Sequence, residues 1–470
     1  MSSIASLLNT ARSAVVAQQA AVQVAGHNIA NAQTAGYTRE VVDLTASTPE
    51  TTPMGTFGTG VSVSNVTSMR DSLLSQDVRT QGSTAANAKT NSDLLGRVES
   101  VLGDPATSTL SSAIDNFYNA WSDLASNPTT ASAKTVVQQR ATALASVFNG
   151  YAGQLTQVRK AATDALTQSV TTVNSLVKQI ADINQRIVPA ESSGQSANDL
   201  RDQRDQLLDK LSSLVSINVI DRPDGSDQVT LGGISIVDGT DAKSLAVGNG
   251  ATATVTIAGS PDALRNVGAQ VGAQLDFLNS ALPSVKSGLD TIAAAIITDV
   301  NAVHRTGWSP PSGAAGNWNP AAPPTGSNVD FFDSTPANAT AANMRLSAAV
   351  AADPNAIAAG AVLNGAGDNT VALQMAALRD HSPSAPGQNV NGAFQTLVSQ
   401  LAVQKNSSDN SATVYQTLAN QATARRQSAT GVSTDEELIN VIKFQQAYTA
   451  AAKYMTTVDQ MSQSLLSIVQ

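Results

Sequence analysis

At both ends of this chain, apolar and small residues recur at alternating spacings of four and three, and that period constrains the fold more than any other feature. The N-terminal series is Ile4, Leu8, Ala11, Val15, Gln18, Val22, Ala25 and Ile29. The C-terminal series is Val441, Phe444, Tyr448, Ala451, Met455, Val458, Ser462, Leu465 and Val469. A period of 3.5 residues held over four heptads keeps one stripe of a helix turned toward a partner helix. Gln18 and Ser462 fall on the stripes, where a polar residue either fixes register at a cost in stability or leans to solvent. Ser433 stands three residues before Glu436, the spacing of a capping box at a helix start. From Asp435 to Val469 the predicted helix spans on the order of 50 Å.

The rest of the chain reads as shells nested inside that pair. The predicted fold class is mainly α with an inserted β domain. Residues 1–38 and 434–470 form a terminal helical coiled-coil domain, 39–215 and 261–433 a mainly helical stalk, and 216–260 an inserted β domain. Glu40 to Val66, rich in Thr, Val and Gly, predicts strands and turns. A helix follows from Ser72 to Leu102, closed by Gly103-Asp104-Pro105. A longer one covers Ser132 to Ile187 and is broken from Pro189 onward. Leu200, Leu207, Leu211 and Leu214 mark another, with Arg201 placed to form a weak surface pair with Asp205. Further helices are expected near Val285 to Val303 and Gln395 to Ser428, and a loop from Trp308 to Gly326. Within 216–260, Ile217-Asn-Val219, Val229-Thr-Leu231, Ile234-Ser-Ile236 and Val255-Thr-Ile257 alternate, punctuated by Asp224-Gly225 and Asp238-Gly239. That pattern predicts a small antiparallel module projecting sideways from the stalk.

Composition and missing motifs exclude several function classes. Net charge is −9 and no basic run exceeds two residues, as at Arg425-Arg426, so the phosphate-neutralising patches of a nucleic-acid binder are absent. No stretch reaches the roughly 18 apolar residues of a membrane span. Met1 to Ala30 lacks the regions of a secretory signal peptide, so on composition alone the chain reads as cytoplasmic. The absence of cysteine fits either a reducing compartment or a chain exported unfolded. His27, His304 and His381 have no paired-ligand spacing. There is no Gly-Lys dipeptide and no G-x-S-x-G elbow. Gly365-Ala-Gly367 reads as a turn, and His304 beside Arg305 as a histidine packing a helix end rather than an acid–base group. Asp199, Asp202, Asp205 and Asp209 are expected on a solvated helix face with arginines interleaved, not at a cation. No catalytic residue, cofactor or metal is therefore expected.

Ala30-Asn31-Ala32-Gln33-Thr34-Ala35-Gly36-Tyr37-Thr38-Arg39 resembles the signature that closes the first helix in the flagellar rod, hook and hook-associated protein family. The family usually carries Pro where this chain has Ala35, which removes a φ-locked residue from the turn. Phe57-Gly58-Thr59-Gly60-Val61 looks like the element that follows. The segments Ala197 to Leu211, Val300 to Trp308, and Ser428 to Leu438 leading into Phe444-Gln445-Gln446-Ala447-Tyr448 are similar, in order, to those of hook-associated members.

This resemblance implies a non-enzymatic structural subunit at the junction of hook and filament. Its terminal helices would pack between subunits into a closed ring. The assembly interface would comprise Ile4, Leu8, Val15, Val22, Ile29, Asn31, Gly36, Tyr37, Val441, Phe444, Tyr448, Met455, Val458, Leu465 and Val469. Implied partners are other copies of the chain, the hook protein, a second junction protein (hook-associated protein 3) on the filament side, and an export chaperone on the C-terminal helix. The implied location is extracellular, reached through the flagellum's own secretion apparatus without a cleaved signal. A hook or rod subunit, or a non-flagellar coiled-coil adaptor, are the alternative readings.

Overall fold

The computed structural model describes residues 2–52, 55–103, 109–192, 194–250, 252–308, 328–335, 337–362, 367–384 and 389–469. Helix α1 (Ser2–Asn31) ends in a turn and leads to strand β1 (Glu40–Ala46). Then come β2 (Glu50–Thr52), β3 (Gly55–Phe57) and β4 (Val61–Ser68). β1 pairs antiparallel with β4 and β2 with β3, giving a long two-stranded ribbon that lies back along α1. Gly60, at φ 113°, makes that approach possible, because a Cβ there would meet Ser13 Oγ at 2.2 Å. The Val61 amide donates to the same hydroxyl at 3.3 Å.

Three helices build the stalk. Asp71 caps α2 (Ser72–Leu102), its carboxylate accepting from the amides of Leu73 and Leu74. α3 (Thr109–Ser126) packs against α4 (Ala131–Glu191), whose 61 residues extend roughly 90 Å. The helix passes through Pro189 to Glu191 instead of stopping ahead of the proline, as the sequence suggests. Near a helix end only the last-turn bonding is disturbed, and Ser192 Oγ donates to the Pro189 carbonyl.

After α5 (Asn198–Leu214) the chain makes β5 (Ile217–Asp221), β6 (Asp227–Leu231), β7 (Ile234–Asp238) and β8 (Asp241–Ala242), an antiparallel sheet in that order. β9 (Leu245–Asn249) and β10 (Ala253–Ile257) form a separate hairpin. The strands do not project free of the stalk. Val229, Leu231, Ile236, Val237, Leu245 and Val255 are buried in one core with residues of α4 and α5. Asn184 on α4 donates to the Asp227 carbonyl at 2.9 Å and the Gly239 carbonyl at 2.7 Å. Arg204 on α5 pairs with Asp227 at 2.8 Å, and both side chains are 1% exposed.

α6 (Ala269–Asp276) continues through a π turn at Phe277–Ala281 into α7 (Leu282–His304). Residues 309–327, which hold most of the expected Trp308–Gly326 loop, lie outside the described residues, as does Gly365. α8 (Ala348–Ala352) and α9 (Thr370–Ala377) are short. α10 (Val390–Thr430) then runs antiparallel to α2, with Asp409 bonded to Ser92 and Arg425 2.7 Å from Asp77. α11 (Thr434–Val469) closes the chain against α1.

The lower stalk is filled by Phe117, Trp121, Phe331 and Phe332, with Phe331 and Phe332 centroids 4.9 Å apart. His304 packs into this cluster. Its Nδ1 donates to the Val329 carbonyl at 2.7 Å and its Nε2 accepts from the Ala358 amide at 3.1 Å. Burial holds its pKa down at about 4, so the ring is neutral in one tautomer and plays a packing role.

Candidate assembly surface

α1 and α11 pair antiparallel within the chain, so part of each stripe is covered intramolecularly. Ala11, Ala17, Ala21 and Ala25 are at most 2% exposed. The larger residues of the expected series, Ile4, Leu8, Val15, Val22 and Ile29, flank that alanine line and are half-buried. On α11, Val458 is buried, Val441, Phe444 and Tyr448 are half-buried, and Met455 is exposed. The side chains of Leu465 and Val469 lie outside the described residues. Ala21 and Ala25 border a gap of about 100 Å³ with Asn440 and Phe444 of α11 and Val42 and Leu44 of β1. The pair and ribbon thus form one terminal module.

The Asn31–Arg39 segment fastens this module to the stalk. Asn31 is half-buried, its amide donating to the His27 carbonyl at 3.1 Å. Tyr37 N donates to the Thr34 carbonyl at 3.2 Å, with Gly36 at φ 77° between them. That is a four-residue turn needing positive φ at its third position. Tyr37 hydroxyl donates to Asn28 Oδ1 at 2.8 Å, folding the turn back on α1. The Thr38 amide donates to Asp202 of α5 at 2.8 Å, and Gln206 Nε2 donates to the Ala35 carbonyl at 2.8 Å. Burial raises the Asp202 carboxyl to about 6, partly offset by that Thr38 amide. Arg39 pairs with Glu437 at 2.7 Å and Glu436 at 3.3 Å, joining the turn to the first turn of α11.

The aspartates of α5 do not occupy a solvated face. Asp199 alone is exposed, while Asp202 is buried. Asp205 pairs with Arg70 and Arg79, each at 2.7 Å. Asp209 pairs with Arg79 at 3.1 Å and Arg426 at 2.7 Å. Arg201 turns to Glu191 at 2.6 Å instead of Asp205. These partners come from the segment just before α2, which holds Arg70, and from α2, α4 and α10, so nothing local to α5 reveals them. The acidic row is the clamp that holds three stalk helices beneath the terminal module.

Opposite its seam, α11 presents a second apolar stripe that the 3.5-residue series does not include. Ile439 is 65% exposed and Ile442 56%, and Leu438, Tyr454 and Met461 continue the exposed apolar surface. On α1, Val16 is 52% exposed. A helical wheel drawn on α11 for a second face would have found it. The chain itself covers one of these two apolar sides.

This is the architecture of a subunit of the flagellar axial structure: a terminal helix pair joined through a short turn to a helical stalk. Residues 95–317 match the family described as flagellar hook-associated protein FlgK helical domain. Residues 425–468 match the flagellar basal body rod FlgEFG protein C-terminal family, and 8–38 the flagella basal body rod protein family. The chain is 30% identical to flagellar hook-associated protein 1 of Bacillus subtilis, over 98% of this chain and 97% of that one. It is 26% identical to the protein of the same name from Salmonella typhimurium, over 99% and 100%. The fold is similar to the flagellar hook junction protein FlgK from Burkholderia pseudomallei, with a TM-score of 0.64, 17% identity and coverage of 76% of this chain and 100% of that one. The chain belongs to the flagellar hook-associated protein 1 family and is a structural component of the bacterial flagellum.

Proposed function

We propose that copies of this chain form a closed ring joining hook to filament, in which the outward stripe of α11 is covered by α1 or α11 of a neighbour. The supporting observation is the pair Ile439 and Ile442, more than half exposed on a helix whose other face is already occupied. Apolar area of that kind is stabilised by leaving water, at about 25 cal/mol per Å². The hook protein lies below the ring and a second junction protein above it, with the terminal modules making the wall. Before assembly the same stripe needs cover, which is the task of an export chaperone on the C-terminal helix. The chain leaves the cell through the flagellar secretion apparatus, and its role is architectural, not catalytic. Flagella from a strain lacking this chain test the reading by electron microscopy. Bare hooks with no attached filament are expected, and filaments of normal number and length would overturn it.

A further inference from the structure

We propose that His27, Glu40 and Asp199 form a binding site for a divalent transition-metal ion of the zinc class, placed where the terminal module meets the stalk. The three residues come from α1, β1 and the first turn of α5, yet their ligand atoms all lie within 4.8 Å of one another. His27 Nδ1 and Glu40 Oε2 are 3.1 Å apart. Two ligands on a tetrahedral ion with bonds of about 2.0–2.1 Å sit roughly 3.3 Å apart, so this pair already has the required spacing. The proton they share is the one an ion would replace. Imidazole nitrogen with two carboxylate oxygens is a donor set for zinc and its neighbours, not for calcium or magnesium, which take all-oxygen shells.

Charge around the cleft points the same way. It holds about 490 Å³ and is lined by Gln23, His27, Glu40, Asn198, Asp199 and apolar or small neighbours, with no Lys or Arg among them. Four other carboxylates at this junction have arginine partners, Glu191, Asp205, Asp209 and Glu437, and Asp202 has the Thr38 amide. Asp199, among the described residues, has no hydrogen bond or ion pair and is free to rotate onto an ion. One outer group is placed to hold a ligand: Asn198 Nδ2 donates to Glu40 Oε1 at 2.9 Å, leaving Oε2 facing His27. An ion there ties the end of α1 to the ribbon and to α5, and stabilises the closed junction by mass action.

The test uses the purified full-length chain, stripped with a chelator and titrated with Zn²⁺ against a chromophoric competitor. One Zn²⁺ per chain is expected, with a rise in melting temperature. His27→Ala and Asp199→Asn should each weaken binding by at least about tenfold, whereas His381→Ala, at an exposed histidine elsewhere, should not. Asp199→Asn breaks no hydrogen bond or ion pair of the described fold, and an unchanged circular dichroism melt of the zinc-free variant separates lost binding from misfolding. No Zn²⁺ uptake at hundredfold excess, or uptake unchanged in both site variants, would overturn the proposal.

Discussion

Ala35 and Gly36 show how much a single turn position can weigh. In the Thr34–Tyr37 turn, Ala35 occupies the position where proline pre-sets φ, and Gly36 the position that needs φ above zero. Ala35→Pro should raise stability by about 0.4–1 kcal/mol through the unfolded chain, read as a higher urea midpoint at unchanged slope. A lower midpoint would mean that the Ala35 backbone does not suit the ring. Gly36→Ala should act oppositely, since its Cβ would fall 2.6 Å from Gln206 Cγ at a strained φ. A second prediction concerns pH. His304 has its folded pKa lowered to about 4, against about 6.5 for an unfolded histidine. Between those values the unfolded chain binds more protons, so this group's share of stability falls as pH falls, by up to about 3 kcal/mol. Asp202, raised to about 6, has the opposite sign, because there the folded chain holds the extra proton. Urea unfolding at pH 7 and pH 5 should therefore show a smaller acid loss in His304→Gln than in the unsubstituted chain. An equal loss in both would rule out a buried neutral ring. The sequence carried the turn residues plainly, because turn chemistry is local. It could not carry the His304 environment, whose bonds reach Val329 and Ala358.

Among the elements, the two faces of α11 separate folding from assembly. Val458 is 2% exposed in the seam with α1, so Val458→Asp buries an unpaired charge and should cost several kcal/mol. Limited proteolysis should then clip α1 and α11 while the stalk, whose aromatic core lies elsewhere, stays intact. Ile442→Asp should leave the circular dichroism melt unchanged, since that side chain is 56% exposed, yet the variant should be missing from hooks by immunogold labelling. Incorporation of Ile442→Asp at normal levels would show that this face meets solvent. Helix existence was legible from periodicity across α1, α4 and α11 because each turns one apolar or small-residue stripe toward a partner. Partner choice was not, because Arg70, Arg79 and Arg426 reach α5 from elements distant in sequence.

For the whole molecule, the β strands of 217–257 look removable in sequence and are anchored in the structure. Replacing residues 216–260 with a Gly/Ser linker strips Asp227 from the buried Arg204, an uncompensated charge costing about 3–5 kcal/mol. Thermal unfolding of that variant should begin at lower temperature and lose its single cooperative transition. An unaltered melt would mean that the strands are independent of α4 and α5. Another long-range feature bears on time instead of energy. Arg39 and Glu437, which latch the terminal module, are separated by 398 positions. At synthesis rates of about 5–20 residues per second, the first helix waits on the order of tens of seconds for the last. A chain that stops between the end of α10 at Thr430 and the start of α11 at Thr434 has its stalk and lacks the latch, so the terminal module closes only on chains made to their end.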